Sequence, residues 1–331
     1  MAAEPARRVV VTDHAFVDTA HEEQVAAEHG CGFAVHACTS EDETVAAVAG
    51  AEVAFVNFAP VTRAVLAAMA PGATVVRYGI GYDNVDVAAA GELGVQVANV
   101  PDYGVSTVAD HAAASLLSLA RRLTSYDALV RRHGWARPGD VGPLPGLAQM
   151  TVGLVGFGRI AQEVARRLAP FGCTIIAHDP HCPAEVVTAQ GVEPVSLAEL
   201  LARSSAVSLH APLTPETRHL VDDAFLRALP AGAILVNTAR GGLVDEAALA
   251  AALTDGHLAA AALDVTDPEP WASDSPLRDA PGLVLTPHAA FYATDSLDRL
   301  QRLASEEAGR ALRGEPLRCP VAAPVTQGAT A

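Results

Sequence analysis

Lysine is absent from the chain: all 22 basic residues are arginine. Chemistry that needs a side-chain primary amine is therefore excluded, including a lysine-bearing phosphate loop, a pyridoxal-phosphate Schiff base and a kinase-type ATP lysine. Positive charge is scarce overall. Against 38 acidic residues the net charge is −16, and no basic run exceeds an Arg pair. That balance argues against nucleic acid or an anionic membrane surface as a partner. The five cysteines (Cys31, Cys38, Cys173, Cys182, Cys319) form no C-x-x-C pair and no Cys/His spacing suited to zinc, so no metal is expected. Cys173, after Phe171-Gly172, reads as a small buried hydrophobe. Residues 1–8 are polar and lack the apolar core of a signal peptide. No run reaches the roughly 18 apolar residues of a membrane span. The expected compartment is the cytoplasm, and the Ala/Arg-rich composition suggests a GC-rich bacterial genome.

What is present is a chain of 331 residues, half of them hydrophobic. At about 100–200 residues per domain this predicts two domains. Short β-branched runs alternate with Ala/Leu-rich amphipathic segments throughout. Ten strands are expected, at 7–11, 53–57, 74–78, 95–98, 151–155, 174–178, 206–210, 233–237, 260–265 and 283–286, with helical patterns such as 110–122, 160–168, 197–201 and 246–253 between them. The alternation predicts an α/β class with two Rossmann-like or flavodoxin-like, doubly wound parallel-sheet domains and a cleft between them. The sharp restart at Thr151 and a last helix at 294–313 suggest how the chain divides. A discontinuous substrate-binding lid takes 1–103 plus 295–331, and a nucleotide-binding domain takes 104–294. The Pro/Ala/Thr-rich tail from Gly314 is expected to be loosely held.

Residues 151–161 read as a strand, then G-x-G-x-x-A (Gly156, Gly158, Ala161), then a helix containing Arg159 and Ile160. Gly156 permits the tight turn, Gly158 lets the backbone approach a pyrophosphate, and a small residue at 161 lets helix and strand pack closely. The helix N-terminus offers N–H groups to phosphate. Asp179 ends the next strand about 20 residues on, where an acid accepts from ribose hydroxyls and repels a 2′-phosphate. Pro180 and His181 follow it rather than Arg, so NAD is the expected cofactor rather than NADP.

Three polar residues fall at ends of predicted strands in the same half: Arg240, Glu269 and His288. Singly, they read as an ion-pair member, a solvated acid and a capping or packing histidine. Jointly they suit reduction of a 2-keto acid. Arg240 would bind the carboxylate and polarise the carbonyl. His288 would donate a proton as hydride arrives from the nicotinamide, with Glu269 orienting the ring and keeping it protonated.

The sequence resembles the D-isomer-specific 2-hydroxyacid dehydrogenase family over nearly its whole length. The resemblance rests on Arg77-Tyr-Gly-Ile-Gly-Tyr-Asp-Asn-Val-Asp86, Asn99-Val-Pro101, the glycine turn, Leu209-His-Ala-Pro-Leu-Thr214, Val236 to Glu246, Ala262-Leu-Asp-Val265 and Thr286-Pro-His288. It implies a homodimer of bilobal subunits acting on a small 2-keto or 2-hydroxy acid, with catalytic roles at Arg240, Glu269 and His288. It also implies a carboxylate-binding loop at Gly79-Ile80-Gly81 flanked by Arg77 and Tyr78, a nicotinamide partner at Asp264, and further cofactor contacts at His210, Ala211, Pro212, Thr217, Thr238 and Ala239. Residues 121–137 would carry part of the dimer contact.

Residues 287–292 are closer to the C-terminal-binding-protein branch than to the phosphoglycerate dehydrogenase pattern, although Phe291 stands where that branch has Trp and Val108 where it has Thr. Phe291 would leave a roomier substrate site. Two alternatives stay open on these residues: an NADH-sensing binding protein like that branch's co-repressors, and a phosphite or phosphoglycerate dehydrogenase using Arg77 as an extra cation.

Overall fold

The computed structural model describes residues 7–321. These divide into two compact units, one running up to Gly104 and resuming at Ala293, the other Val105–Tyr292. In chain order the first unit contains β1 (Arg8–Val11), α1 (Ala20–Glu28), β2 (Gly32–Val35), α2 (Glu41–Val48), β3 (Val53–Val56), α3 (Arg63–Ala68), β4 (Thr74–Arg77), α4 (Val87–Leu93) and β5 (Gln96–Ala98). The strands form one sheet in the order β2-β1-β3-β4-β5, every pair parallel. Such a sheet is covered on both faces, which is why β3 and β4 are buried at every position.

The second unit contains α5 (Val105–Ala120), α6 (Leu123–His133), β6 (Thr151–Val155), α7 (Arg159–Leu168), β7 (Thr174–His178), α8 (Ala184–Ala189), β8 (Glu193–Pro194), α9 (Leu197–Arg203), β9 (Ala206–Leu209), α10 (Asp223–Ala228), β10 (Ala233–Asn237), α11 (Glu246–Thr254), β11 (Leu258–Leu263) and β12 (Leu283–Leu285). Its all-parallel sheet runs β12-β11-β10-β9-β6-β7-β8. One apolar cluster, including Leu116, Leu154, Phe157 and Val164, and another, including Leu209, Phe225, Leu235 and Leu249, form its two cores. The order reverses between β6 and β9, and ligands of open α/β sheets bind beyond the carboxyl ends of the strands at such a point. The final helix, α12 (Thr294–Leu312), packs on α1, β3 and β4 of the first unit.

Two strands escaped the sequence reading. β2 is an edge strand that opens on glycine and is at most half-buried, and β8 is two residues long and ends in proline. β8 has no apolar run at all, and the run of β2 is only Phe33 to Val35, too short to mark a strand by itself. Cys173 is partly buried, packed against one apolar cluster. The expected loose tail is corrected for its described part. Glu307 on α12 accepts from the backbone N–H groups of Arg318 (2.9 Å) and Cys319 (3.0 Å), and Val321 N–H donates to the Val97 carbonyl on β5. Residues 1–6 and 322–331 lie outside the described residues. Among the described residues, no helix is long and apolar enough to cross a membrane, and no group of three His, Cys, Asp or Glu side chains could hold a metal ion.

Candidate active site

β6 ends at Val155 and the chain turns into α7 through Gly156, at φ +86. A Cβ on Gly156 would lie 2.8 Å from backbone atoms of His210 and Ala211, so the turn rests on the main chain leaving β9 and admits no side chain. Gly158, extended, is the N-cap of α7 and supplies no side-chain cap, and nothing lies within 4 Å of where its Cβ would be. The first N–H groups of α7 therefore keep room for an anion. Asp179, just after β7, is fixed by accepting from Phe157 N–H (2.7 Å, Oδ2) and His181 N–H (2.8 Å, Oδ1). A carboxylate has about four acceptor sites, leaving capacity for hydroxyl donors. At the end of β10, the Thr238 hydroxyl is buried without a partner among the described residues. A cleared phosphate turn, a held acid and an orphaned hydroxyl beyond β6, β7 and β10 of one sheet fit a dinucleotide.

The other expected cofactor contacts are distributed around this turn. His210 sits with Nε2 2.9 Å from Ser208 Oγ, and burial pushes its pKa down to about 4, so the ring is neutral. The Thr217 hydroxyl closes its own loop, donating to the Pro212 carbonyl and accepting from Thr214 N–H, both at 2.7 Å. Arg159 is exposed, Ile160 packs against the apolar cluster, Pro212 is exposed, and Ala211 and Ala239 are half-buried.

Arg240 follows β10. The buried Asn237 sets its path: Asn237 Nδ2 donates to the Arg240 carbonyl (2.8 Å), Oδ1 accepts from Ala239 N–H (3.0 Å), and its carbonyl accepts from Asp264 N–H (2.9 Å). Arg240 Nη1 donates to the Ala239 carbonyl. A Cβ on Gly241 would lie 2.0 Å from the backbone of Thr266, so glycine there lets the 266–270 loop close against the Arg240 turn. In that loop Glu269 Oε1 accepts from Thr266 N–H (3.2 Å) and Oε2 lies 2.7 Å from His288 Nδ1. Nδ1 is thus the nitrogen facing the carboxylate, and Nε2 lies across the ring.

His288 adopts φ +50, a left-handed backbone that costs a non-glycine residue about 1–2 kcal/mol. Asp264, just beyond β11, holds it there. Its carbonyl accepts from His288 N–H (2.7 Å), and its carboxylate accepts from Thr286 Oγ1 (2.5 Å), Ala289 N–H (2.8 Å) and Ala290 N–H (2.9 Å). The Asp264 side chain is 1% exposed. Its carboxylate therefore organises the His288 loop, a role that the motif alone did not reveal. Phe291 meets the His288 ring edge-on, centroids 6.1 Å apart.

In the first unit, Arg77 ends β4 and is buried. Gly79 at φ +120 would place a Cβ 2.1 Å from Arg77 Nη1, so the glycine makes room for the guanidinium. Asn99 Nδ2 donates to the Ile80 carbonyl (2.7 Å), and Val100 N–H to the Gly79 carbonyl (3.0 Å), holding the 79–81 loop that ends at Gly81. Tyr78 requires a correction. Its ring stacks on Phe55 inside the first unit, and its hydroxyl donates to the buried Glu22 (2.8 Å). Strand alternation sends Tyr78 to the opposite face from Arg77 and into the core, so it is a packing residue rather than a substrate-facing one.

A parallel sheet with this turn at its switch point defines a dinucleotide-binding α/β domain. Residues 113–290 match the model of the D-isomer specific 2-hydroxyacid dehydrogenase NAD binding domain. The chain is 43% identical over 275 residues to D-3-phosphoglycerate dehydrogenase of Mycobacterium tuberculosis H37Rv, covering 83% of this chain and 52% of that protein. It thus spans about half the length of the curated relatives it matches. The crystal structure of the TT0316 protein from Thermus thermophilus superposes with a TM-score of 0.83 at 36% identity, covering 95% of this chain and 99% of that one. D-lactate dehydrogenase from Aquifex aeolicus, complexed with NAD and lactic acid, gives a TM-score of 0.83 at 25% identity over 93% of this chain and 96% of that one. The chain belongs to the D-isomer specific 2-hydroxyacid dehydrogenase family, and its second unit carries the family's NAD-binding domain.

Proposed function

We propose that the chain interconverts a small 2-keto acid and its D-2-hydroxy acid with NAD. The observation that carries this reading is His288 Nδ1 at 2.7 Å from Glu269, on a loop clamped by Asp264 beside the Arg240 turn. When bound, NADH supplies the hydride. His288 hands a proton from Nε2 to the carbonyl oxygen and recovers it in the oxidative direction. Glu269 holds the ring with Nδ1 toward its carboxylate and Nε2 away from it. Arg240 engages the substrate carboxylate and draws charge onto the carbonyl. Asp179 accepts from the ribose hydroxyls and disfavours a 2′-phosphate. The main-chain N–H groups of Gly79 to Gly81 form a carboxylate-accepting loop in the first unit.

Steady-state NADH oxidation over a panel of 2-keto acids tests the reading. Turnover is expected with at least one acid, falling by about 10²-fold or more in His288→Ala, because general acid catalysis is worth about 10²–10⁴-fold. Arg240→Ala should raise KM and lower kcat together. An inactive wild type, or variants as fast as it, would overturn the proposal.

A second reading takes D-3-phosphoglycerate as the hydroxy acid. It is supported by the 43% identity to the mycobacterial enzyme. NAD reduction with D-3-phosphoglycerate, compared by kcat/KM with unphosphorylated acids, separates the two. A homodimer is part of the proposal and is read by sedimentation.

A further inference from the structure

One titratable side chain near the proposed reacting groups is left unused by that chemistry. His111 lies on α5, the helix that opens the second unit. Its Nε2 is 3.2 Å from Thr286 Oγ1 and 3.8 Å from Asp264 Oδ1. Thr286 Oγ1 lies 2.5 Å from Asp264 Oδ1, and the same oxygen accepts from Ala289 N–H.

The donor count fixes the directions. A hydroxyl carries one proton and an ionised carboxylate carries none, so the Thr286 proton points at Asp264. With that proton so used, Thr286 Oγ1 can only accept from the ring, so the 3.2 Å contact is a hydrogen bond in the tautomer that carries Nε2–H. Asp264 in turn holds His288 at φ +50 through its carbonyl and holds the two following amides through its carboxylate.

We propose that His111 is a positioning residue: acting through Thr286 and Asp264, it fixes the left-handed loop that aims His288. The inference rests on the function proposed above. It adds to that reading a residue on an element that sequence separates from His288 by 177 positions. The physical basis is preorganisation. A carboxylate that collects its donors from one loop is oriented by the most rigid of them. Here that donor is the Thr286 hydroxyl, which His111 ties to a 16-residue helix. A misplacement of about 1 Å at a reacting group costs on the order of 10²-fold in rate.

The test uses the full chain with His111→Leu, which removes the donor, and His111→Gln, whose terminal amide can replace Nε2–H. In His111→Leu, kcat for keto-acid reduction should fall about tenfold or more. The NADH dissociation constant, read by fluorescence, should change less than threefold, and the Ala289 and Ala290 amides should exchange with deuterium at least fivefold faster. His111→Gln should recover most of both losses. Thr286→Val, which breaks the same link from its other end, should add little to His111→Leu in a double-mutant cycle. Unchanged exchange at Ala289 and Ala290 in His111→Leu, a glutamine no better than leucine, or fully additive losses would overturn the proposal. Should the wild type reduce no keto acid, the proposed function fails while the exchange measurements still decide the role of His111.

Discussion

At the scale of single residues, the central contact is the one between Glu269 and His288. A carboxylate 2.7 Å from an imidazole nitrogen orients the ring and fixes which nitrogen faces away. Keto-acid reduction consumes the proton that His288 donates and alcohol oxidation returns one, so reduction should be favoured at lower pH than oxidation. Glu269→Gln keeps the size of the side chain and removes the charge. Its kcat for keto-acid reduction should fall about tenfold or more, with a smaller change in NADH affinity, because the ring loses the charged acceptor that holds it. A kcat equal to that of wild type would show that the Glu269 charge has no part in the transfer. Asn237 and Asp264 act on this pair at one remove, and the polar character of their side chains is spent on the backbone around them.

Among the elements, close approach decides what glycine does. Gly241→Ala would drive a methyl group into the Thr266 backbone. The 266–270 loop must then move, taking Glu269 with it. The expected outcome is a loss of about 1–3 kcal/mol in urea unfolding, together with a kcat reduced about tenfold or more and a smaller change in NADH affinity. In the first unit, α1 and α12 pack around a carboxyl group. Burial raises the Glu22 pKa, although hydrogen bonds from Tyr78 and Gln301 oppose the shift. The folded state thus holds this proton more tightly than the unfolded chain. Its stability is present below the ordinary carboxylate range and is lost as pH rises through the folded value. Glu22→Gln removes that dependence, so the variant's stability, read by thermal unfolding, should decline less than that of wild type as pH rises above the ordinary carboxylate range. Parallel declines would locate the titrating group elsewhere.

For the molecule as a whole, charge is spread rather than focused. Arginines pair with carboxylates one helical turn away, as in Arg203–Glu199, Arg227–Asp223 and Arg302–Glu306. Exposed pairs of this kind contribute little, because water and salt screen them. Ligand binding should matter more to measured stability than these pairs do. Free NADH at about 100 times its dissociation constant adds about 2.7 kcal/mol by mass action. Thermal unfolding should therefore shift upward with NADH and much less with equal NADPH, and Asp179→Ala should abolish the difference between the two. An equal shift from both nucleotides would remove Asp179 from the ribose site.

The sequence by itself determined the all-parallel α/β class and the NAD turn, because strands buried on both faces must be apolar and a phosphate turn must be glycine. That Arg240, Glu269 and His288 lie beyond β10, β11 and β12 was legible from the order of strands along the chain, although Glu269 stands in the 266–270 loop rather than at a strand end. The strands β2 and β8 were not legible, since β8 is two residues ending in proline and β2 is a short run opening on glycine, too little for a pattern along the chain to show. Nor was the inward turn of Tyr78, which shares a motif with a loop glycine but faces a buried Glu22 brought from 56 residues away. Only the tertiary structure decided that Asp264 gathers the His288 loop and that His111 reaches it through Thr286. Hydrogen bonds between distant residues depend on angles and on fractions of an ångström, and no spacing along a chain encodes those.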